Sequence, residues 1–233
     1  MPALTYNPII VALDVEDAHQ AFALIDSIGP HVDFYKVGME LFTAEGPSLV
    51  RELSARGKNV FLDLKFHDIH ETVRRAVARA TELNVQLLTV HATGQVMRAA
   101  VEGRGSTDTK TLAVTVLTSL GEPDLQEDGY PIGQTVAALV EKKVHLGVEV
   151  GIDGFVCSPL EVAKVRAISG PQCTLVTPGV RSAGSSQGDQ KRVATPGAAI
   201  LAGATYLVIG RQITRATDPA AEAQRILEEI AST

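Results

Sequence analysis

Tryptophan is absent from the sequence, and its 233 residues hold only six Phe and four Tyr. The core of a chain this size must then be largely aliphatic, built from layers of Val, Ile and Leu. Cysteine is scarce too: Cys157 and Cys173 have neither CxxC nor metal-ligand spacing, which excludes a disulfide scaffold and leaves two small thiols expected to be buried. No apolar run approaches the roughly 20 residues that a membrane span requires, so no membrane partner is expected. The start MPALTYNPIIVALD lacks a basic stretch and a cleavage site, and cytoplasmic location is the default expectation. An excess of positive charge is also missing. With a net charge of −6 and a pI near 5.5 there is no global attraction to nucleic acid, so any phosphate must be held by local groups.

What the sequence does contain is a regular succession. Short apolar runs rich in β-branched residues lie at 9–13, 32–37, 60–64, 86–90, 111–117, 154–157, 174–176 and 206–209, separated by helical patterns and by no low-complexity linker. One strand and one helix recur about every 30 residues, the size of a βα unit. Eight such units predict an α/β fold with a parallel sheet closed into a (β/α)8 TIM barrel, as a single domain over residues 1–233. A doubly wound open sheet is the alternative, because periodicity does not report closure.

Function in such barrels collects at the C-terminal ends of the strands. Those ends read Asp14, Lys36, Asp63 with Lys65, His91, Thr118 with Ser119, Ser158, Thr177-Pro178-Gly179, and Gly210-Arg211. A polar residue at every end argues for one enclosed polar site. The longest non-periodic stretches, 119–133 and 178–195, follow the fifth and seventh strands. The second is rich in Gly and Ser, bears Arg181, Lys191 and Arg192, and is long enough for a lid. Gly210-Arg211 follows the eighth strand, where barrels often hold a phosphate: glycine permits close backbone approach and arginine offers a planar fork for the oxygens.

The densest chemistry is Asp63-Leu64-Lys65-Phe66-His67-Asp68, a D-x-K-x-x-D spacing where the third strand should give way to a helix. Alternation along a strand puts Asp63 and Lys65 on one face and Leu64 on the other. Charges in so apolar a neighbourhood must be paired or functional. Asp68 falls near the start of a helix carrying Val73, Val77 and Ala80, where it is placed to act as N-cap with Glu71 completing a capping box, a role that does not exclude catalysis.

With these residues in view the chain resembles the orotidine 5′-phosphate decarboxylases. The resemblance runs from the first strand to the last, through VALD at 11–14, KVG at 36–38, FLDLKFHDI at 61–69, HA at 91–92, VLTS at 116–119, VCS at 156–158, TPGVR at 177–181, GDQKR at 188–192 and LVIGR at 207–211. It implies a homodimer of (β/α)8 barrels, with no nucleic-acid or membrane partner, that converts orotidine 5′-phosphate to UMP and CO2 without metal or organic cofactor. It further implies that Lys36, Asp63 and Lys65 form a charged network completed by Asp68 from the partner subunit. Asp14 and Lys36 would hold the ribose hydroxyls, Thr72 would join them across the interface, and Thr118 or Ser119 would face the pyrimidine. Arg181, Gln190, Gly210 and Arg211 would grip the phosphate beside Pro178, with Gln190 bridging phosphate and base. Three positions depart from the family pattern: His70-Glu71 where Pro-Asn is common, Gln95 where Gly is common, and Gln212 where Pro is common. None belongs to the charged tetrad.

Two rival readings stay open at this point. Metal-dependent sugar-phosphate decarboxylases and aldolases of the same barrel group share D-x-K-x-x-D but place a Glu metal ligand where Lys36 stands, so Lys36 argues against Mg2+. His67, His70 and His91 taken alone suggest a metal site, whereas the resemblance implies none. A non-catalytic nucleotide-binding barrel would be expected to lose Lys65 or Asp63, and both are present.

Overall fold

The structure is a computed structural model that describes residues 6–183 and 194–233. Strands and helices alternate through β1 (Ile9–Leu13), α1 (Ala18–Ile28), β2 (Phe34–Gly38), α2 (Met39–Ala55), β3 (Asn59–Phe66), α3 (His70–Thr81), β4 (Leu87–His91), α4 (Gly94–Arg104) and β5 (Lys110–Val114). They continue through α5 (Glu122–Glu127), α6 (Val136–Val150), β6 (Gly154–Val156), α7 (Val162–Ser169), β7 (Thr174–Pro178), α8 (Pro196–Leu201), β8 (Tyr206–Ile209), α9 (Arg211–Thr214) and α10 (Pro219–Ala231). Each strand runs parallel to the next, and β8 returns to β1 through Ile9↔Leu207, Ile10↔Val208 and Val11↔Ile209. That last pairing decides between the two expected architectures: the sheet is a closed barrel.

All eight expected strands are present, with shifted ends. β3 continues to Phe66, so Asp63 and Lys65 lie within it. β5 stops at Val114; the next residue, Thr115, gives the last ladder bond with its amide to the carbonyl of Val156 (3.1 Å) and adds its hydroxyl to the same oxygen (3.0 Å). Thr118 and Ser119 therefore sit in the following loop, and the expected irregular stretch 119–133 contains α5.

Alternation of side chains separates two apolar layers. Ile10, Ala12, Phe34, Phe61, Leu87, Leu112, Val176 and Val208 fill the barrel interior. Their strand neighbours Ile9, Val11, Leu13, Val60 and Leu62 turn outward to meet the helices. The interior is not wholly aliphatic, since two of the few aromatics, Phe34 and Phe61, are buried there. Helices present narrow apolar stripes to this outer layer, as in α3 with Val73, Val77 and Ala80. Cys157 is fully buried and Cys173 partly so, both as free thiols.

The short strand β6 approaches β7 so closely that a Cβ on Gly154 would collide with the carbonyl oxygen of Thr174 and lie 2.6 Å from Leu112 Cδ2. Backbone cannot yield there without opening the ladder. Gly154→Ala is expected to lower the unfolding free energy by about 1–3 kcal/mol, the usual cost of overpacking, as measured by urea denaturation.

Candidate active site

Three adjacent strands bring four charged side chains to the C-terminal mouth of the barrel. Asp14 follows β1, Lys36 lies in β2, and Asp63 and Lys65 lie in β3. The Lys36 ammonium donates to Asp14 Oδ1 at 2.9 Å and stands 3.9 Å from Asp63 Oδ2. Lys65 Nζ lies 2.9 Å from both Asp63 oxygens. Charge therefore alternates along the row Asp14, Lys36, Asp63, Lys65. The two inner members are well shielded, at 12% and 14% side-chain exposure for Lys36 and Asp63, while Asp14 is open to solvent. Gly38 makes room for this row, since a Cβ there would stand 2.9 Å from Lys36 Nζ.

Asp63 and Lys65 share a face as alternation requires, but the backbone between them is not regular strand. Lys65 has φ +49°, in the left-handed region that costs a lysine about 1–3 kcal/mol. Between the paired positions Leu62↔Leu88 and Phe66↔Val90, β3 places three residues where β4 places one. That one is Thr89, fully buried, whose hydroxyl accepts from the Lys65 amide and donates to Asp63 Oδ1, both at 2.9 Å.

Two adjoining cavities flank the charged row, of about 290 and 260 Å³, and share Lys36, Pro178 and Val208 as lining. Each lies at or below the lower end of the roughly 300–1,000 Å³ usual for small-molecule sites, and joined they fall within it. One is cationic, lined by Arg181, Gly210, Arg211 and Arg215. The other is mostly apolar, lined by Phe61, Val114, Val116, Thr118 and Ser119 around Asp63 and Lys65. Burial, reinforced by the like charge of Arg211, holds the pKa of Arg181 below its ordinary value, and an anion between the two would relieve that repulsion. Gln212 ties their supports together: its amide accepts from Ser182 N at 3.2 Å and donates to Ser182 Oγ and to Glu222 at 2.8 and 2.9 Å. The protein's own packing does not demand glycine at 210, where a Cβ would make ordinary contact with Ala12.

Asp68 stands apart from this group. It is exposed, accepts a bond from the amide of Ile69 at 2.6 Å, and forms no ion pair with the row among the described residues. The expected capping box is absent: Ile69 is the N-cap of α3 and has no side-chain bond. Glu71 instead binds Arg74 and Arg75 at 2.8 and 2.6 Å, because charge-assisted pairs one turn away outcompete a neutral amide. Thr72 is exposed on α3. Gln190 lies outside the described residues, as do Lys191 and Arg192. The three histidines do not converge: His70 faces Glu102 at 3.3 Å, and the rings of His67 and His91 lie 5.1 Å apart. Burial pushes the Cys157 thiol up to about 12, so it stays protonated in the wall of the apolar cavity.

The family model described as "Orotidine 5'-phosphate decarboxylase / HUMPS family" matches residues 7–226. The chain belongs to that family. Orotidine 5′-phosphate decarboxylase of Rhodopseudomonas palustris strain HaA2 is 52% identical over 223 residues, covering 96% of this chain and 94% of its own. The same-named protein of Methylobacterium sp. strain 4-46 is 50% identical over 233 residues, with 99% and 98% covered. A crystal structure of orotidine 5′-phosphate decarboxylase from Lactobacillus acidophilus superposes with a TM-score of 0.85 at 35% identity, covering 97% of this chain and 99% of that one.

Two residues near the charged row escaped the sequence reading. Thr89 carried a usable signal, since Leu87 faces the barrel interior and alternation puts Thr89 and His91 on the same side. Lys143 carried none: it reaches from α6 to donate to the carbonyl of Thr115 at 2.6 Å, a contact between residues 28 positions apart.

His91 is half-buried, and desolvation, with the neighbouring His67, Lys143 and Lys65, lowers its pKa from 6.5. The unfolded chain therefore takes up this proton at a higher pH than the folded one. Stability due to neutral His91 is complete above about pH 6.5 and declines as pH falls from there toward the folded-state pKa. Replacing it in His91→Gln is expected to flatten the fall of unfolding free energy over that window, checked by urea denaturation of both chains across pH.

Proposed function

We propose that this chain decarboxylates orotidine 5′-phosphate to UMP and CO2, the last step of de novo pyrimidine nucleotide synthesis, as a single-domain cytoplasmic enzyme that uses no metal or organic cofactor. The observation that carries this reading is the alternating row Asp14, Lys36, Asp63, Lys65 set between an apolar and an arginine-lined cavity, in a chain of this family. A pyrimidine ring suits the apolar cavity, with Thr118 or Ser119 at its edge. Its 5′-phosphate suits Arg181 and Arg211 beside Pro178 and Gly210, and the ribose between them meets Asp14 and Lys36. Gln190 is assigned to bridge phosphate and base.

When the C6–carboxylate bond breaks, CO2 leaves and the electron pair stays on C6 in an sp2 orbital that the ring delocalises poorly. Stabilisation has to come from charge already in place. The Lys65 ammonium offsets the developing carbanion and then transfers its proton to C6. Asp63 faces the substrate carboxylate; two like charges near 4 Å repel by about 4 kcal/mol at an effective dielectric of about 20, and that repulsion vanishes with CO2. Lys36 stands beside Asp63 as a second cationic neighbour within the shielded row.

Asp68 is assigned to the partner's site in a homodimer. Supporting this, Asp68 is exposed, and the large apolar side chains Ile69 and Met39 next to the exits of β3 and β2 are 67% and 58% exposed. Thr72, exposed on α3, would reach the partner's ribose.

Purified protein in EDTA is expected to shift the ultraviolet absorbance of orotidine 5′-phosphate to that of UMP, and Lys65→Ala to lose this activity by more than about 10³-fold while still binding UMP. An inert wild-type chain that binds UMP tightly would instead mark a binding module, and activity that EDTA removes would mark a metal enzyme. Mixing Asp63→Ala with Asp68→Ala chains tests the shared site: each variant alone is expected to be nearly inactive, and the mixture to recover activity from hybrid dimers with one intact site. No recovery would count against Asp68 acting across an interface.

A further inference from the structure

Buried threonines at the two ends of β5 satisfy their hydroxyls on a neighbouring carbonyl, Thr109 on Val85 and Thr115 on Val156, while Thr111 within β5 donates to the Asp153 carboxylate. Thr89 also bonds a carboxylate. Its single hydroxyl proton goes to Asp63 Oδ1 and its oxygen receives the Lys65 amide. The reason lies in register: between Leu88 and Val90, β4 has only Thr89 to set against Asp63, Leu64 and Lys65, so the Lys65 amide meets a side-chain hydroxyl in place of a ladder carbonyl. The same atom thus anchors the left-handed backbone of Lys65 and orients the carboxylate that Lys65 Nζ grips at 2.9 Å.

We propose that Thr89 is a positioning residue: its hydroxyl sets the geometry of the Lys65–Asp63 pair from outside the substrate cavities. Thr89 lines neither cavity, is fully buried, and among the described residues bonds only these two partners with its hydroxyl. The kinetic consequence rests on the decarboxylase reading; the hydrogen-bonding role does not.

Thr89→Val keeps the shape and removes the hydroxyl, whereas Thr89→Ser keeps the hydroxyl and removes the methyl. Wild type and both variants are compared for kcat and KM with orotidine 5′-phosphate, for UMP affinity by calorimetry, and for exchange of the Lys65 amide by NMR. In T89V, kcat is expected to fall about 10- to 100-fold, as misplacement of a reacting group does, with KM and UMP affinity within about twofold and Lys65 exchange at least about 10-fold faster. T89S is expected to keep kcat within about threefold and the amide protected. Equal losses in T89V and T89S, or unchanged kcat and protection in T89V, would overturn the proposal. If T89V does not fold, Thr89→Ala against T89S makes the same comparison: the alanine must lose protection and kcat where the serine keeps both, and equal behaviour overturns the role. A wild type without turnover would refute the decarboxylase reading, while Lys65 amide exchange would still decide the role of Thr89.

Discussion

Asp63 is the side chain on which the site depends. It lies between two ammonium groups, 2.9 Å from Lys65 and 3.9 Å from Lys36, in a mouth that shields it from most water. Removing Asp63 would leave the partly buried Lys65 ammonium without its counterpart, a loss larger than that of an exposed ion pair. The row is therefore cooperative in structure. It also sets fixed charges beside an apolar cavity, which is the condition under which charge acts strongly on a bound molecule, because little water intervenes to screen it.

Holding such a row requires a stiff frame. Parallel pairing of β1, β2 and β3 fixes Lys36 beside Phe61 and Gly38 beside Asp63, and the two apolar layers hold each strand from both sides. Regularity alone would not suffice. The extra residues of β3 opposite Thr89 let the chain turn Lys65 back upon Asp63, and the strain of a left-handed lysine is held in place by a buried hydroxyl. Strain gathered at the chemistry and regular packing elsewhere is the usual division in enzymes.

A second group of charges lies at the other end of the joined cavity. Arg181 and Arg211 come from the β7 and β8 exits, and Gln212 joins the backbone beside each through Ser182. Proline, which the resemblance leads one to expect at 212, would supply none of these bonds. Like charges held close together in a partly buried site favour an anion, so an overall acidic chain still offers a local cationic site for one, in the cavity that Lys65 does not line.

The alternation of apolar runs was legible because strand and helix periods are properties of the local chain, and so were the eight strands and the ring of polar ends. The D-x-K-x-x-D spacing likewise made Asp63 and Lys65 candidates before any geometry was known. Closure was expected from the count of eight units, but periodicity alone left an open sheet as the alternative, because closure is the pairing of Ile9 with Leu207, nearly a full chain apart. The sequence did not show that Ile69 would replace Asp68 as the N-cap while Arg74 and Arg75 hold Glu71, nor did it show the bulge that makes Lys65 left-handed or the reach of Lys143 to Thr115. Each depends on which groups compete for the same hydrogen bond or ion pair, or on contacts between distant segments. The sequence by itself determined which residues carry charge and which stretches become strands; only the tertiary structure decided which of those charges meet, because pairing depends on register between segments that the chain order does not specify.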